Sequence, residues 1–331
     1  MLKNIYRKRK IKPVSAVEDV LLKTTPWNMS VDERVEMTCS CRDTDYIPKV
    51  KASGDIQKTT SGKVQIMHNG LKLVYGGYHG DWMAKIIKNL KGHHEPQEEK
   101  AFYEVMQVLQ KTKQKSFSII ELGSFWSYYS LWFLKELSSS KAFCYEPDPV
   151  NMKIGKKNAT VNKLNPFFES AAAGSADGTL ISLALDSNPS ENIKVKIRSV
   201  DSIVSEHKLE QVDILHMDVQ GVELDTLQGS LQIIVEKKVR FLFVSTHHYS
   251  FSKDVATHQK CIEFIVKNGG KIIASHNVLE SYSGDGLIVA SFSSLDKDMK
   301  IETSNNTSDN SLFRSYERDM QLLANYIENK L

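Results

Sequence analysis

The chain has 331 residues, of which 41% are hydrophobic and 25% charged, which is ordinary for a soluble globular enzyme. Its net charge of +3 is too small to indicate a nucleic-acid partner, and no apolar run approaches the length of about 18 residues that a membrane-spanning helix needs. The first residues lack the apolar core of a signal peptide, and the four cysteines are too scattered for a disulfide framework. We therefore expect a reduced, cytoplasmic protein.

Residues 1–62 are predicted to form a loosely ordered arm with short elements. The segment is polar and weakly periodic, and Pro13, Pro26 and Pro48 interrupt it. Basic residues crowd its beginning, namely Lys3, Arg7, Lys8, Arg9, Lys10 and Lys12. Such a cluster is typical either of a peripheral contact with an anionic membrane surface or of a solvated flexible tail, and both interpretations stay open.

Residues 63–115 are predicted to form a cap, or lid, on the domain that follows. Residues 63–75 alternate in polarity around Asn69 and Gly70, which favours a β-hairpin. Apolar residues at helical spacing then predict two helices, near 81–90 and 97–110.

Four residues of this cap are candidates for contacting a substrate. Tyr78 lies in a glycine-rich loop, and Trp82 follows it at the start of a helix, where it either contacts substrate or anchors the helix in a core. His94 and Glu95 precede the second helix, so we expect them to lie over the site. The histidines and acids near this helix start could also bind a metal, but Pro96 fits a capping segment equally well, and no metal site is predicted.

Residues 116–293 alternate regularly between strands and helices. Strands are expected near 117–122, 141–146, 167–173, 211–218, 239–246, 271–275 and 286–292, and helices at 127–137, 149–162, 199–207, 222–237 and 254–268. Because the strands are almost continuously apolar, the pattern predicts an α/β fold. We expect a Rossmann-like, doubly wound, mostly parallel seven-stranded sheet with helices on both faces and a reversed strand at one edge. A hairpin over 180–185 and 193–197 is expected before the fourth main strand.

The end of the chain, residues 294–331, is predicted to be a polar linker followed by an amphipathic helix near 313–327. That helix is expected to pack either on the domain or on a second subunit of a homodimer. No internal repeat is visible in the sequence.

A nucleotide half-site begins the alternating region. Its first strand contains Glu121 and ends at Gly123, a helix follows, and a second strand ends at Glu146. Glu146 lies 23 residues after Gly123, close to the roughly 20 expected for an acid that accepts hydrogen bonds from both ribose hydroxyls. This order places a small ligand over the carboxyl ends of two parallel strands and predicts an adenosine-containing cofactor.

The turn after the first strand favours S-adenosylmethionine (SAM) over a dinucleotide. A pyrophosphate needs a turn with several glycines, whereas here a single glycine is followed by Phe125 and Trp126. SAM has no phosphate and presents an amino-acid end, whose ammonium group Glu121 could hold. The alternative is a Rossmann-like turn that binds nothing.

Further polar residues lie at the carboxyl ends of the fourth and fifth main strands. In a doubly wound sheet, ligands bind at these strand ends. Asp218 could orient a substrate hydroxyl, bind a cation or contact the cofactor, or it only caps the next helix. His247 and His248 follow the fifth strand, and histidine can take a proton near neutral pH. Alternation sends the two side chains to opposite sides, so only one is expected to face the cofactor.

In this order, the segments resemble the FkbM-type SAM-dependent methyltransferases over about residues 117–292. The matching residues are Glu121-Leu122-Gly123, Tyr128-Tyr129-Ser130, Glu146-Pro147-Asp148-Pro149, Asn158, Asn162, Val200-Asp201-Ser202-Ile203, 213–223 and Leu227-Gln228-Gly229. The resemblance implies a class I methyltransferase fold and methylation of a hydroxyl on a sugar, glycan or related small metabolite. Three departures are Ser127 at a common second glycine, His216 at a common lysine and Gln220 at a common glutamate.

Carried over to this chain, the resemblance implies that the turn holds the methionine end of SAM. The candidate cofactor contacts are Glu121, Gly123, Ser124, Ser127, Tyr129, Glu146, Pro147 and Ala172. SAM carries an activated methyl group, so the protein supplies alignment and removes a proton in a direct displacement. We predict His247 as the base, with His248 as the second candidate and Asp218 orienting the acceptor. The acceptor is expected to lie beneath Tyr78, Trp82, His94 and Glu95.

Other functions stay open at this point. A dehydrogenase is disfavoured because the glycines are missing. A non-catalytic SAM-binding or scaffolding relative of methyltransferases would use the basic arm and the final helix as interaction surfaces. Metal assistance through Asp218 and a neighbouring histidine also stays open.

Overall fold

The computed structural model describes residues 29–60, 62–114, 116–307 and 310–313. The helices are α1 (Val31–Ser40), α2 (Asp81–Asn89), α3 (Pro96–Gln110), α4 (Tyr128–Glu136), α5 (Pro149–Asn162), α6 (Val200–Glu206), α7 (Glu223–Gln228), α8 (Leu231–Val235), α9 (Tyr249–Ser252) and α10 (Thr257–Lys267). The strands are β1 (Ile56–Thr59), β2 (Gly62–Ile66), β3 (Lys72–Val74), β4 (Phe117–Leu122), β5 (Ser140–Tyr145), β6 (Phe167–Glu169), β7 (Ala172–Ala173), β8 (Leu180–Ala184), β9 (Asn192–Arg198), β10 (Val212–Asp218), β11 (Val239–Thr246), β12 (Lys271–His276) and β13 (Gly286–Ser291). Within these ranges no helix is both long and apolar enough to cross a membrane.

The central sheet confirms the predicted fold class. Its strands lie in the order β12-β13-β11-β10-β4-β5-β6, and all run parallel except β13, which is antiparallel to both of its neighbours. Counted by their order in the chain, the strands of this sheet follow the sequence 3-2-1-4-5-7-6. This is the topology of class I methyltransferases, and its reversal of strand order between β4 and β10 creates a crevice at the carboxyl ends of the strands.

Two smaller sheets flank the central one, and both contain predicted hairpins. Strands β2 and β3 pair antiparallel around Asn69-Gly70, where Gly70 adopts a φ of 83°, and β1 extends this sheet. Strands β8 and β9 pair antiparallel as expected, and β7 joins them. The single strand predicted over 167–173 is therefore wrong: β6 belongs to the central sheet and β7 to the small one.

One predicted helix is divided and another is shorter than predicted. The helix predicted over 222–237 consists of α7 and α8, which are separated at Gly229; this residue lies so close to the backbone of Gly174 that an ordinary side chain would not fit between them. The helix predicted over 254–268 is preceded by the separate short helix α9 and begins at Thr257.

The prediction of a loosely ordered arm is wrong for residues 29–60. Ser30 and Glu33 form a capping box that begins α1, and Val35 on that helix is only 2% exposed. The hydroxyl of Thr38 donates to the carbonyl of Tyr282, which fastens α1 to the loop before β13. Sequence periodicity missed this helix because its few apolar residues gain their burial from distant segments. The basic cluster and the predicted final helix beyond residue 313 lie outside the described residues.

The two faces of the central sheet are buried against different elements. Ile119 belongs to a cluster that contains Phe102 of α3 and Trp132 of α4, whereas its neighbour Ile120 belongs to the cluster with Val204 of α6. This is the alternation expected of a strand covered on both sides. Helix α3 of the predicted cap is thus part of the main core, and its first turn lies against the ends of β10 and β11.

A buried ion pair far from this crevice offers a test of the fold. The guanidinium of Arg240 donates through Nε and an Nη to the two carboxylate oxygens of Asp296, at 3.1 and 2.9 Å, and both residues are buried. Removing one partner leaves the other charge uncompensated, so we expect Asp296→Ala to lower the free energy of unfolding by about 3–5 kcal/mol. Urea denaturation would measure this loss. The exposed Asp298→Ala serves as the control, and equal stability of the two variants would contradict the prediction.

Candidate functional site

A cavity of about 1080 Å³ lies at the carboxyl ends of β4, β5, β10 and β11. Most of the site residues predicted from the sequence line this cavity. Those on its wall are Glu121, Gly123, Ser124, Tyr129, Glu146, Pro147, Ala172, Asp218 and His247 from the domain, and Tyr78, Trp82, His94 and Glu95 from the cap. The residues therefore meet where a doubly wound sheet binds its ligand.

Two predicted site residues do not lie on the cavity wall. Ser127 is fully buried beneath the turn and precedes α4 in the left-handed conformation, with a φ of 61°. This conformation is the one that a glycine adopts readily, which agrees with the glycine common at this position in the resembling family. His248 is buried behind the wall, where its ring stacks on the wall residue Phe313 with centroids 4.0 Å apart.

The turn after β4 requires glycine at position 123. Gly123 has a φ of 70°, and a Cβ atom added there would lie 1.7 Å from the backbone oxygen of Asp218. The turn therefore rests directly on the end of β10. This close approach places Asp218 beside whatever the turn binds.

Glu121 and Glu146 both support the turn through backbone hydrogen bonds. One oxygen of Glu121 accepts from the amide of Ser130 at 2.9 Å. The two oxygens of Glu146 accept from the amides of Phe125 and Asp148, at 2.9 and 2.8 Å. Each oxygen keeps a further lone pair for a ligand. Burial raises the pKa of Glu146 to about 8, so hydrogen-bond donors from a ligand would favour its ionised form.

A charged cluster lies at the ends of β10 and β11. Nδ1 of His247 lies 2.6 Å from an oxygen of Glu223, and Nε2 lies 3.2 Å from Asp218 and 3.6 Å from Asp285. Burial opposes the imidazolium form, but the carboxylates, with Asp285 the strongest, raise the pKa of His247 well above its usual value. His247 is thus a cation held among three carboxylates.

Asp285 completes this cluster and was not predicted from the sequence. It stands between Gly284 and Gly286, directly before the predicted last strand. Burial raises the pKa of Asp285 to about 7, with Asp218 adding to the shift and His247 opposing it. Arg34 of α1 is a second cavity residue that the sequence analysis missed, and its guanidinium lies 4.7 Å from the ring centre of Trp82.

The cap contributes a hydrogen-bonded wall centred on Glu95. The hydroxyls of Tyr78 and Tyr129 donate to its two oxygens at 3.2 and 3.4 Å, and Nε2 of His94 lies 3.3 Å away. Burial opposes the charged form of His94, but Glu95 and Glu99 raise the pKa of His94 to about 10. The predicted substrate residues of the cap therefore form one connected polar network.

Among the described residues, one group of histidine and acid side chains is close enough to hold a metal ion: His68, His93 and Glu99. The rings of His68 and His93 stack with an interplanar angle of 15°. The lone pair of an imidazole nitrogen lies in the plane of its ring. Because the two rings are nearly parallel, their lone pairs point side by side and not toward one metal position between them. Glu99 instead accepts from Nδ1 of His93 at 2.5 Å and from the hydroxyl of Tyr128 at 2.9 Å. We interpret this group as a structural network.

The chain matches a protein-family model and is similar to several solved structures. A family model described as the methyltransferase FkbM domain matches residues 121–273. Among solved structures, the chain is similar to M. capricolum TrmK in complex with S-adenosylhomocysteine, with 13% identity, 70% of this chain and 87% of that chain covered, and a TM-score of 0.37. It is also similar to WbdD, with 11% identity, 59% of this chain and 40% of that chain covered, and a TM-score of 0.40. A third similar structure is a human methyltransferase 10 domain containing protein, with 12% identity, 60% of this chain and 83% of that chain covered, and a TM-score of 0.36. No curated protein matches the sequence.

The contact between Gly123 and β10 can be tested with S-adenosylhomocysteine (SAH). In Gly123→Ala the new Cβ must displace the end of β10, and we expect SAH affinity to fall by roughly tenfold or more, with a loss of stability. Gly178→Ala is a matched control, because Gly178 has a φ of 76° but open space around its Cβ. Calorimetric titration and thermal unfolding would measure both effects. Equal SAH affinity in the two variants would show that the turn does not contact the cofactor.

The raised pKa of Glu146 predicts that SAH binding releases protons. At pH 7 this carboxyl is mostly protonated, because its pKa is about 8. Ribose hydroxyls donate to the ionised form and lower that pKa, so SAH affinity should rise with pH up to about 8. Calorimetry in buffers of different ionisation enthalpy would detect the released protons. Glu146→Gln should abolish the release, and a heat independent of buffer in the wild type would argue against Glu146 as the ribose acid.

Proposed function

We propose that the protein is a SAM-dependent methyltransferase of the FkbM type, whose domain model matches residues 121–273, and that it transfers the methyl group to a hydroxyl of a sugar, glycan or related small metabolite. The observation that carries the proposal is the cluster of Asp218, His247 and Asp285 on the cavity wall. Because Gly123 touches the backbone of Asp218, this cluster lies beside the turn that holds the methionine end of the cofactor. A proton acceptor beside the methyl group is what a hydroxyl nucleophile requires.

The walls of the cavity suit a neutral polyol. Carboxylates accept hydrogen bonds from hydroxyls, and those on the wall are Glu95, Glu121, Glu146, Asp148, Asp186, Asp218, Asp225 and Asp285. Arg34 is the one arginine or lysine among the described residues of the wall. Such an excess of acids repels phosphorylated or carboxylated acceptors.

Aromatic side chains supply the apolar part of this recognition. Tyr78 stacks on Trp126 with ring centres 4.4 Å apart and an interplanar angle of 8°. Trp82 lies nearby on the same wall. Aromatic faces of this kind can cover the apolar face of a sugar ring, while the adjacent carboxylates bind its hydroxyls.

We assign the removal of the proton to the cluster as a unit. His247 is held in its charged form by Asp218, Glu223 and Asp285, and an imidazolium has no lone pair to accept a proton. Asp285 has a pKa of about 7 and is therefore the better base near neutral pH. In this assignment Asp218 orients the acceptor hydroxyl, as predicted, and His247 holds the two carboxylates in place. The predicted role of His247 as the base is thus reassigned to Asp285.

The mechanism is a direct displacement at the methyl carbon. With SAM held by the turn at Gly123 and by Glu146, the acceptor oxygen would form the new C–O bond as the C–S bond breaks, SAH would leave, and the hydroxyl proton would pass to Asp285. SAM supplies an activated methyl group, so most of the rate enhancement comes from holding oxygen, carbon and sulfur in line. The cap and the turn, which contact each other through Tyr78 and Trp126, provide that alignment.

Asp285→Asn tests the assignment of the base. We expect methyl transfer to fall by roughly 10²- to 10⁴-fold, because the amide cannot accept the proton, while SAH binding is kept. In the wild type, kcat/KM should rise with pH through about 7, where Asp285 loses its proton, and then level off. Transfer of labelled methyl from SAM to a panel of neutral and phosphorylated sugars would measure both effects.

The control for this experiment is Asp298→Asn, at an exposed position away from the cavity. Full activity in Asp285→Asn would contradict the role of Asp285. Binding of SAH by the wild type without transfer to any acceptor of the panel would favour a non-catalytic SAM-binding relative.

A further inference from the structure

His216 occupies a position on the cavity wall that no predicted role explains. It lies on β10 opposite Glu121 of the neighbouring strand β4, so the two side chains emerge on the same face of the sheet. Both residues are buried, with His216 2% and Glu121 3% exposed. A histidine and a glutamate therefore stand side by side in the floor beneath the turn that holds the cofactor.

One nitrogen of His216 is committed to the protein and the other is not. Nε2 lies 2.6 Å from a carboxylate oxygen of Glu98, whose other oxygen accepts from the hydroxyl of Ser245 at 3.0 Å. These contacts fix the orientation of the ring. Within the described part of the chain, Nδ1 is buried and has no hydrogen-bond partner. A buried polar nitrogen without a partner is costly, and because His216 lines the cavity a ligand there can supply the missing hydrogen bond.

The surroundings of His216 favour its positively charged form. Burial opposes the imidazolium, but the hydrogen bond with Glu98 and the charges of Glu98, Glu121 and Asp218 outweigh burial and raise the pKa of His216. Nδ1 is then a charged donor. Charge-assisted hydrogen bonds of this kind are stronger than neutral ones.

The methionine end of SAM is a zwitterion, with an ammonium and a carboxylate on one carbon. The acidic wall described above offers the ammonium group several partners, Glu121 among them, but the carboxylate needs a cation. The guanidinium of Arg34 lies over Trp82 and donates to the carbonyl of Ser283. His94 and His247 each have a carboxylate of the protein beside both ring nitrogens. His216 is the cation beside Glu121.

We propose that Nδ1 of His216 binds the carboxylate of the methionine end of SAM, while Glu121 binds its ammonium group. This inference rests on the methyltransferase assignment and adds a residue to the cofactor site. Glu98 is a positioning residue, since it orients His216 and keeps it charged without touching the cofactor. It lies on α3, outside residues 121–273, so the upstream helix completes the floor of the family domain.

The test compares two probes that differ only in the group concerned: SAH and its decarboxylated analogue, which lacks the carboxylate. In the wild type we expect SAH to bind about 10- to 100-fold more tightly than the analogue, as for the loss of a charged hydrogen bond. His216→Gln should bring this ratio close to one, chiefly by weakening SAH. His216→Lys should restore much of it, because lysine supplies a cation.

His207→Gln is the matched control, since this histidine hydrogen-bonds the hydroxyl of Tyr145 and is not on the cavity wall. It should leave the ratio unchanged. A ratio in His216→Gln equal to that of the wild type would overturn the proposal, as would equal weakening of both probes. The ratio reports on the carboxylate alone, so a general loss of structure would not imitate the expected result.

If His216→Gln fails to fold, Glu98→Gln decides the question. This variant leaves the imidazole in place but removes the charge that sustains its protonation, so the ratio should fall, and an unchanged ratio would overturn the proposal. Failure of the wild type to bind SAH at all is a separate outcome. It would refute the methyltransferase assignment and the role of His216 with it.

Discussion

Two adjacent buried carboxylates at the start of α3 join the cap to the catalytic domain, and the site depends on them. Glu99 accepts hydrogen bonds from His93 and from Tyr128, the first residue of α4. Glu98 binds His216 and Ser245 at the ends of two central strands. Burying two acids is costly unless each is compensated by partners, and here the partners come from both parts of the chain. The cap therefore has one favourable position on the sheet.

This position brings the two halves of the reaction together. In the proposed function, the first turn of α3 holds the floor beneath the cofactor, and the segment just before it carries the acceptor wall around Glu95. The approach of Gly123 to the carbonyl of Asp218 then sets the proposed cofactor turn against the cluster to which we assign the proton. Donor and acceptor sites are thus linked by short, rigid contacts, which is what alignment of a methyl transfer requires.

The charge of the cavity is organised as alternating acids and imidazoles. His247 lies among Asp218, Glu223 and Asp285, and His216 lies between Glu98 and Glu121. Each imidazolium relieves the repulsion among acids that would otherwise have to protonate. The same arrangement leaves an excess of negative charge, which suits a cofactor with a net positive charge and an acceptor without an anionic group.

The sequence by itself determined the doubly wound, mostly parallel sheet, most of its strands and helices, and the glycine turn and strand-end acid that we assign to the cofactor. These features are local: a glycine between a strand and a helix, or an acid at the end of a strand, needs only its neighbours in the chain. Alternation also required that His247 and His248 face opposite sides, although it could not choose between them.

Tertiary structure alone decided the rest of the site. Asp285 stands between two glycines, and Arg34 belongs to a segment with weak periodicity. Glu98, the partner of His216, lies 118 residues away in the chain. The charged state of His247 depends on Asp218 and Glu223 from one segment and on Asp285 from another, distant in the chain. Proton affinity and ligand contact are set by what packs around a group in space. Neighbours along the chain do not carry that information for residues brought together only by folding.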